Sequence, residues 1–221
     1  LVSSLERNIQ NDIKSLGSNT IYIDKWDYSG GPDYPWWKYV KRPVPEYDEM
    51  RFIKEKTTAV KNIAFNLSTT YNLEHENDML QGVNYYGVSD EFHLVQPFEI
   101  AYGRYLNGSD FNNGNPNIVI GYENAEKLFN KAEAAVGKEV KLKNKYAHIV
   151  GVIKKQGKSM IGGWEFDRCI ILPYRFFTQM YQEKYNNPVI MVLGQDNMIV
   201  ESLRDELKGV MRGLRRLSPV E

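Results

Sequence analysis

Residues 45–68 read PEYDEMRFIKEKTTAVKNIAFNLS, and the change of period within them decides the fold class. Tyr47, Met50 and Ile53 recur every three residues behind Pro45, a residue suited to a helix start, so a short helix is predicted over 46–56. Directly after it the period drops to two. Ile63, Phe65 and Leu67 fall on one face of a strand, and Ala64, Asn66 and Ser68 on the other. Residues 79–88 read as its partner strand, and Ile21 and Ile23 alternate in a strand within 19–26. The order strand, helix, strand, strand is that of an α/β unit and not of an all-β sandwich.

Working outward, Leu5, Ile9, Ile13 and Leu16 share one helical face, with Gly17 where a C-cap belongs. The middle of the chain is finer grained. Turn signals at Tyr102-Gly103-Arg104, Asn107-Gly108-Ser109 and 112–116 mark loops. Around them fall strands at 118–120, at Val140/Leu142, at Ile149/Val150/Val152 and at 169–172, and a helix near 123–130. Pro173 then opens a helix bearing Phe177, Met180 and Tyr181. These pieces form a small α+β module inserted into the first unit. A strand at 189–193 and a helix carrying Val200, Leu203, Leu207, Val210, Leu214 and Leu217 close the chain; that apolar seam suits packing on the sheet. Lys208, Arg212, Arg215 and Arg216 crowd the helix end, a solvated basic tip that next to a bilayer can meet lipid phosphates.

The 221 residues carry 28 basic and 28 acidic side chains, 42% hydrophobic residues and 13% aromatics. Such a chain folds around a real core, and with zero net charge it has no global field for nucleic acid, so no nucleic-acid partner is expected. No apolar run reaches the roughly 20 residues of a membrane span, and no signal-peptide layout opens the chain. The chain starts and stops beside helical patterns, which suggests an excised fragment. Cys169 lies in an apolar strand and reads as a small buried hydrophobe.

Chemistry is scarce. Residues 151–159, GVIKKQGKS, imitate a phosphate-binding loop, but five residues separate Gly151 from Gly157 where four are needed to wrap backbone N–H groups around phosphates. The paired Gly162 and Gly163 also make a poor helix start. His75, His93 and His148 stand apart, so no metal site is expected. No nucleophile elbow occurs, and Asp24/Asp27 and Glu74/Glu76 read as surface acids. No catalytic residue and no cofactor is assigned. The most unusual feature is residues 26–39, where Trp26, Tyr28, Tyr34, Trp36, Trp37 and Tyr39 crowd a segment stiffened by prolines. Two readings stand: the rings, Tyr34, Trp36, Trp37 and Tyr39 foremost, contact a partner, peptide or glycan, or they fold back over the sheet as a self-packed loop.

Across most of the chain an ordered series of short signatures is found. Leu16-Gly17-Ser18-Asn19-Thr20-Ile21 comes first, then Gly103-Arg104 with Asp110, Ile118-Val119-Ile120-Gly121 with Ala125 and Leu128-Phe129, and Val136-Gly137-Lys138-Glu139-Val140. Val150-Gly151-Val152 with Gly157, Asp167, and Ile171-Leu172-Pro173 complete it. The series resembles the MacB-like periplasmic core domain of ABC-transporter permeases of the MacB, FtsX and LolC type.

The resemblance implies an α+β fold: a porter-like α/β subdomain built from both chain ends, with a small inserted α/β-rich, Sabre-like subdomain. The implied division is a membrane-proximal helix over 1–17, the porter-like unit over 18–89 and 189–221, and the insert over 90–188. It further implies a non-catalytic domain on the periplasmic side of the inner membrane, in an efflux or lipoprotein-handling permease. ATP is then bound by a separate cytoplasmic domain or chain. The implied partners are the ABC ATPase, reached through the membrane helices, a second permease copy, and a periplasmic adaptor, lipoprotein or hydrolase. Gly17, Asn19, Gly103, Arg104, Gly121, Gly137 and Asp167 are implied structural residues, with Arg104 ordering the strand-to-loop transition after Gly103. An FtsX-like activator of a cell-wall hydrolase and a glycan-binding module are the alternatives.

Overall fold

The computed structural model describes residues 19–25, 37, 40, 42–157 and 163–216. The first helix proposed from sequence, with its Gly17 cap, lies outside the described residues, as do Tyr34, Trp36 and Tyr39.

Among the described residues nine strands form one sheet: β1 (Thr20–Ile23), β2 (Val60–His75), β3 (Asp78–Val88), β4 (Ile100–Gly103), β5 (Asn117–Ile120), β6 (Glu139–Lys141), β7 (Tyr146–Ile153), β8 (Cys169–Pro173) and β9 (Val189–Gly194). Their spatial order is β1-β9-β2-β3-β8-β5-β7-β4, with β6 bridging β2 and β7. Hydrogen bonding does not break near residue 90, because β3 runs parallel to β8 from Asn84↔Cys169 to Val88↔Pro173. The bridge by β6, Glu74↔Lys141 on one side and Val140↔Ala147 on the other, closes β2-β3-β8-β5-β7-β6 into a ring. The α-helices among the described residues are α1 (Tyr47–Lys56), α2 (Phe92–Val95), α3 (Gly108–Asn113), α4 (Tyr122–Phe129), α5 (Tyr174–Phe177) and α6 (Val200–Arg215).

The period-two reading of β2 holds, and its even-numbered positions add a surprise. Ile63, Phe65 and Leu67 join the larger core with Met50 and Ile53 of α1 and Leu203 and Leu207 of α6. Ala64 is also fully buried, in a second layer with Val88, Phe92 and Met191. The strand therefore has a core on both faces over 63–67, because α2 and its flanks cover the second face.

Three local readings need correction. Residues 100–103 are a strand and not a loop, since Tyr102 and Gly103 pair with Val152 and Gly151. Asn107-Gly108-Ser109 opens α3: the Asn107 side chain accepts the Asp110 N–H at 3.0 Å and caps the helix. The helix after Pro173 stops at Phe177, so Met180 and Tyr181 fall in the following turn yet still pack on the core.

Cys169 is fully buried, its Sγ donating to the Phe166 carbonyl at 3.4 Å, and burial pushes its thiol well up. It should react with a thiol reagent at least ~100-fold more slowly in the folded chain than in denaturant, because the thiolate is the nucleophile. Equal labelling rates in the two states would show that β8 is not held in the core.

Candidate functional site

Two polar assemblies stand out, one along α6 and one at the α3 cap. α6 lies on the larger core through Leu203 and Leu207, with Val210 and Met211 half-buried against it. At its start the chain is clasped. The Asn19 side chain donates to the Gly194 and Gln195 carbonyls at 3.0 and 2.8 Å, and the Gly194 N–H returns a bond to the Asn19 carbonyl at 3.0 Å. The Gln195 side chain reaches the carbonyls of Thr58 and Val60 at 3.3 and 3.2 Å. Two further links tie α6 to the neighbouring α1. Thr57 Oγ1 donates to the Glu206 carboxylate, and Arg215 forms a forked pair with Glu49, at 2.8 and 2.9 Å. Side-chain exposures of 19% and 13% place this fork where water screens it little. β1, β2, β9, α1 and α6 are thus joined as one limb.

The second assembly centres on Asp110, whose side chain is 2% exposed. Arg104 Nη1 donates to its Oδ2 at 2.8 Å and the Asn107 N–H to the same oxygen at 3.0 Å. Asn117 and Asn115 reach Oδ1 at 2.7 and 3.2 Å. Burial alone would raise this carboxyl, but the Asn107 N–H, Arg104, Asn117 and Asn115 outweigh it and hold the group down at about 2. Arg104 Nη1 also donates to the Tyr105 carbonyl at 2.9 Å, and its backbone N–H to the Val150 carbonyl at 2.9 Å. Gly103 and Arg104 are thereby fixed against β7. Gly103 has φ +74, and a Cβ there would sit 2.2 Å from the Val150 carbonyl oxygen.

Gly121 lies at the start of α4, donating to the Cys169 carbonyl at 2.9 Å, and Gly137 donates to the Ile149 carbonyl at 2.7 Å. Asp167 does something the sequence did not suggest. Its two oxygens accept the Gln156 and Gly157 N–H groups at 2.9 and 2.8 Å. The loop that imitates a phosphate cradle therefore directs these amides at an internal carboxylate, which occupies the place an anion would take. Of the aromatic stretch, Trp37 is described and is 61% exposed.

Glu49, Thr57, Glu206 and Arg215 have no local spacing to reveal them, since Glu49 and Arg215 stand 166 residues apart. Among the described residues no cluster of His, Cys, Asp and Glu fits a metal, and no helix is long and apolar enough to cross a membrane.

Comparison with known proteins agrees with this architecture. Residues 1–210 match the family model of the MacB-like periplasmic core domain. An uncharacterised ABC transporter permease of Methanocaldococcus jannaschii is 26% identical over 219 residues, covering 94% of this chain and 48% of the relative. The pyoverdine export ATP-binding/permease protein PvdT of Pseudomonas syringae is 25% identical over 173 residues, 76% of this chain and 24% of its own length. The chain thus spans about half or less of these relatives. The periplasmic region of MacB from Actinobacillus actinomycetemcomitans superposes with a TM-score of 0.75 at 18% identity, covering 96% of this chain and 90% of that one. The extracellular domain of the transporter YknZ from Gram-positive bacteria gives 0.58 at 18% identity, covering 74% and 76%.

Proposed function

We propose a function from one premise: this chain belongs to the family of MacB-like periplasmic core domains, and so is the periplasmic domain of an ABC-type permease. Its role is to couple ATP hydrolysis, carried out on a separate cytoplasmic domain or chain, to movement of a substrate or partner in the periplasm. The domain itself is non-catalytic, and the relative named for pyoverdine export supports efflux as the form the work takes. The partners are the ABC ATPase, reached through membrane helices, and a second permease copy.

The observation that carries this reading is the limb. Asn19 at the start of β1 and α6 near the far end of the sequence close on the same joint, Gly194-Gln195, and α6 is then pinned to α1 at Thr57–Glu206 and Glu49–Arg215. A push arriving along α6 is passed to the sheet as a rigid displacement, because a forked, half-buried ion pair resists sliding where a purely apolar seam would allow it.

The test uses the intact permease reconstituted with its ATPase. Cys169 is buried, so within this domain an introduced cysteine at an exposed position is the one that takes a fluorophore, once any cysteine elsewhere in the permease is replaced. ATP should change the distance between probes on the two permease copies. Neutralising both members of the fork, with Glu49→Gln and Arg215→Gln together, should cut that change by about threefold while ATP hydrolysis persists. An undiminished change would remove the limb from the coupling path.

A further inference from the structure

The outer face of the ring carries a row of side chains that the limb does not use, and strand register fixes its order. The pairs are Met79↔Glu74, Glu74↔Lys141 and Lys141↔Tyr146, so from β3 through β2 and β6 to β7 the row runs Met79, Glu74, Lys141, Tyr146. Residues directly opposite one another share a face of the sheet. Their chain neighbours show which face it is, since the pairs Leu73↔Leu80 and Val140↔Ala147 turn inward and pack in or against the larger core. The row therefore points outward. Met79 is 50% exposed and Tyr146 60%, two large side chains left in water, and the side chains of Glu74 and Lys141 are 41% and 45% exposed.

Across the strands the row is apolar, acidic, basic, apolar, a sequence that complements itself when turned end for end. We propose that this row is the contact surface for a second copy of the chain. A two-fold axis along the strands, midway between β2 and β6, sets Glu74 of one copy over Lys141 of the other and Lys141 over Glu74, with Met79 over Tyr146 at both ends. Such a contact is isologous and closes at two copies. An axis along the row would instead set Glu74 on Glu74 and Lys141 on Lys141, so the charges select the first arrangement. The proposal rests on the permease reading for why a second copy stands beside the first.

Within one chain Glu74 and Lys141 already face each other, Oε2 to Nζ, at 3.9 Å. That is longer than a hydrogen bond, and a carboxylate has about four lone-pair sites and an ammonium three N–H groups, so each has capacity for a second partner. In the paired chains the four charges alternate in sign around a square. At its ends the Met79 thioether meets the Tyr146 ring, a favourable sulfur–aromatic contact. With strands about 4.8 Å apart the row is about 14 Å long. A contact of this length is small beside the ~800 Å² per partner of stable complexes, so free chains associate weakly. Two copies held in one assembly meet at an effective concentration in the mM range, where a weak contact fills.

The experiment is sedimentation of the 221-residue chain in a concentration series up to about 1 mM, at low salt. The parent should form dimers. Lys141→Glu and Glu74→Lys should each weaken self-association about tenfold or more, because each sets like charges over one another. An equal mixture of these two variants should recover pairing, since every contact across the axis is again between opposite charges. The control mixture, Lys127→Glu from exposed α4 with Glu74→Lys, has the same net charges and should not recover it. Tyr146→Ser should weaken the parent contact without changing any charge. A parent that stays monomeric throughout would overturn the proposal, as would a mixture of Lys141→Glu and Glu74→Lys that fails to pair while both remain folded. Equal pairing in the control mixture would also overturn it, by showing diffuse attraction in place of a specific row. Slow labelling of the buried Cys169 reports that each variant is folded. Association of this chain requires neither ATP nor membrane helices, so its failure is distinct from loss of the ATP-driven distance change that tests coupling.

Discussion

Asp110→Ala is expected to lower the unfolding free energy by about 3–5 kcal/mol, the range for removing one member of a buried ion pair. Four donors lose their acceptor together: the Arg104 guanidinium, the Asn107 N–H, and the Asn115 and Asn117 amides. Arg104 is 44% exposed and can rehydrate, which favours the lower end of that range. The loss should also show in pH dependence. The folded carboxyl sits at about 2, below its unfolded value, so the stabilisation is present at neutral pH and vanishes as pH falls from about 4 through 2. That contribution amounts to roughly 2 kcal/mol. Urea titrations of the parent and of Asp110→Asn, from neutral pH down to acid, provide the check. The parent should lose stability across this window while the variant, already weaker, flattens there. Parallel curves would show that another carboxylate carries the acid sensitivity.

The second large effect is expected at the β4–β7 crossing. Gly103 combines φ +74 with a Cβ position 2.2 Å from the Val150 oxygen, and across from it a Cβ on Gly151 would lie 2.1 Å from the Arg104 oxygen. Both obstacles are backbone atoms that cannot rotate away. Gly103→Ala should therefore cost about 3–5 kcal/mol, from left-handed strain plus overpacking, and should free the β4 amides to exchange. Gly209 in α6 provides the contrast, since nothing lies within 4 Å of its Cβ position. Gly209→Ala should stabilise by up to about 1 kcal/mol. Thermal melts and hydrogen exchange read both. If Gly103→Ala melts with the parent, the two backbones are not pressed together.

These two positions also show what can be read from residues alone. Gly103, Arg104 and Asp110 were legible as a local pattern because the ion pair spans six residues. Period and turn chemistry likewise located α1, β2, β3, β5, α4, β7, β8, β9 and α6, since each buries a stripe that its own spacing exposes. The limb's fork was not legible. Glu49 and Arg215 look like ordinary surface charges until the fold sets α1 beside α6. Asp167 is legible only as one member of a pattern, because the amides it collects come from a loop whose glycines imitate a different chemistry. Residues 100–103 were misread for a related reason. Gly103 is a turn signal in isolation, whereas here it permits a close strand crossing. The rings at Tyr34, Trp36 and Tyr39 lie outside the described residues, so only Trp37 speaks for that stretch.

The ring β2-β3-β8-β5-β7-β6 bears on how the domain carries load. A sheet with open edges can be unzipped one bond at a time when a strand is pulled sideways, and its resistance is that of the weakest bond. The ring removes the free edge of β6, although its β2–β6 side rests on the single pair Glu74↔Lys141. β2 passes from the limb, where it pairs β9 over Val60–Asn66, into the ring, where Glu74 meets β6. A pull directed along it loads its hydrogen bonds in parallel, as shear. Stiffness along the line that joins limb to ring is what the proposed coupling role asks of such a domain.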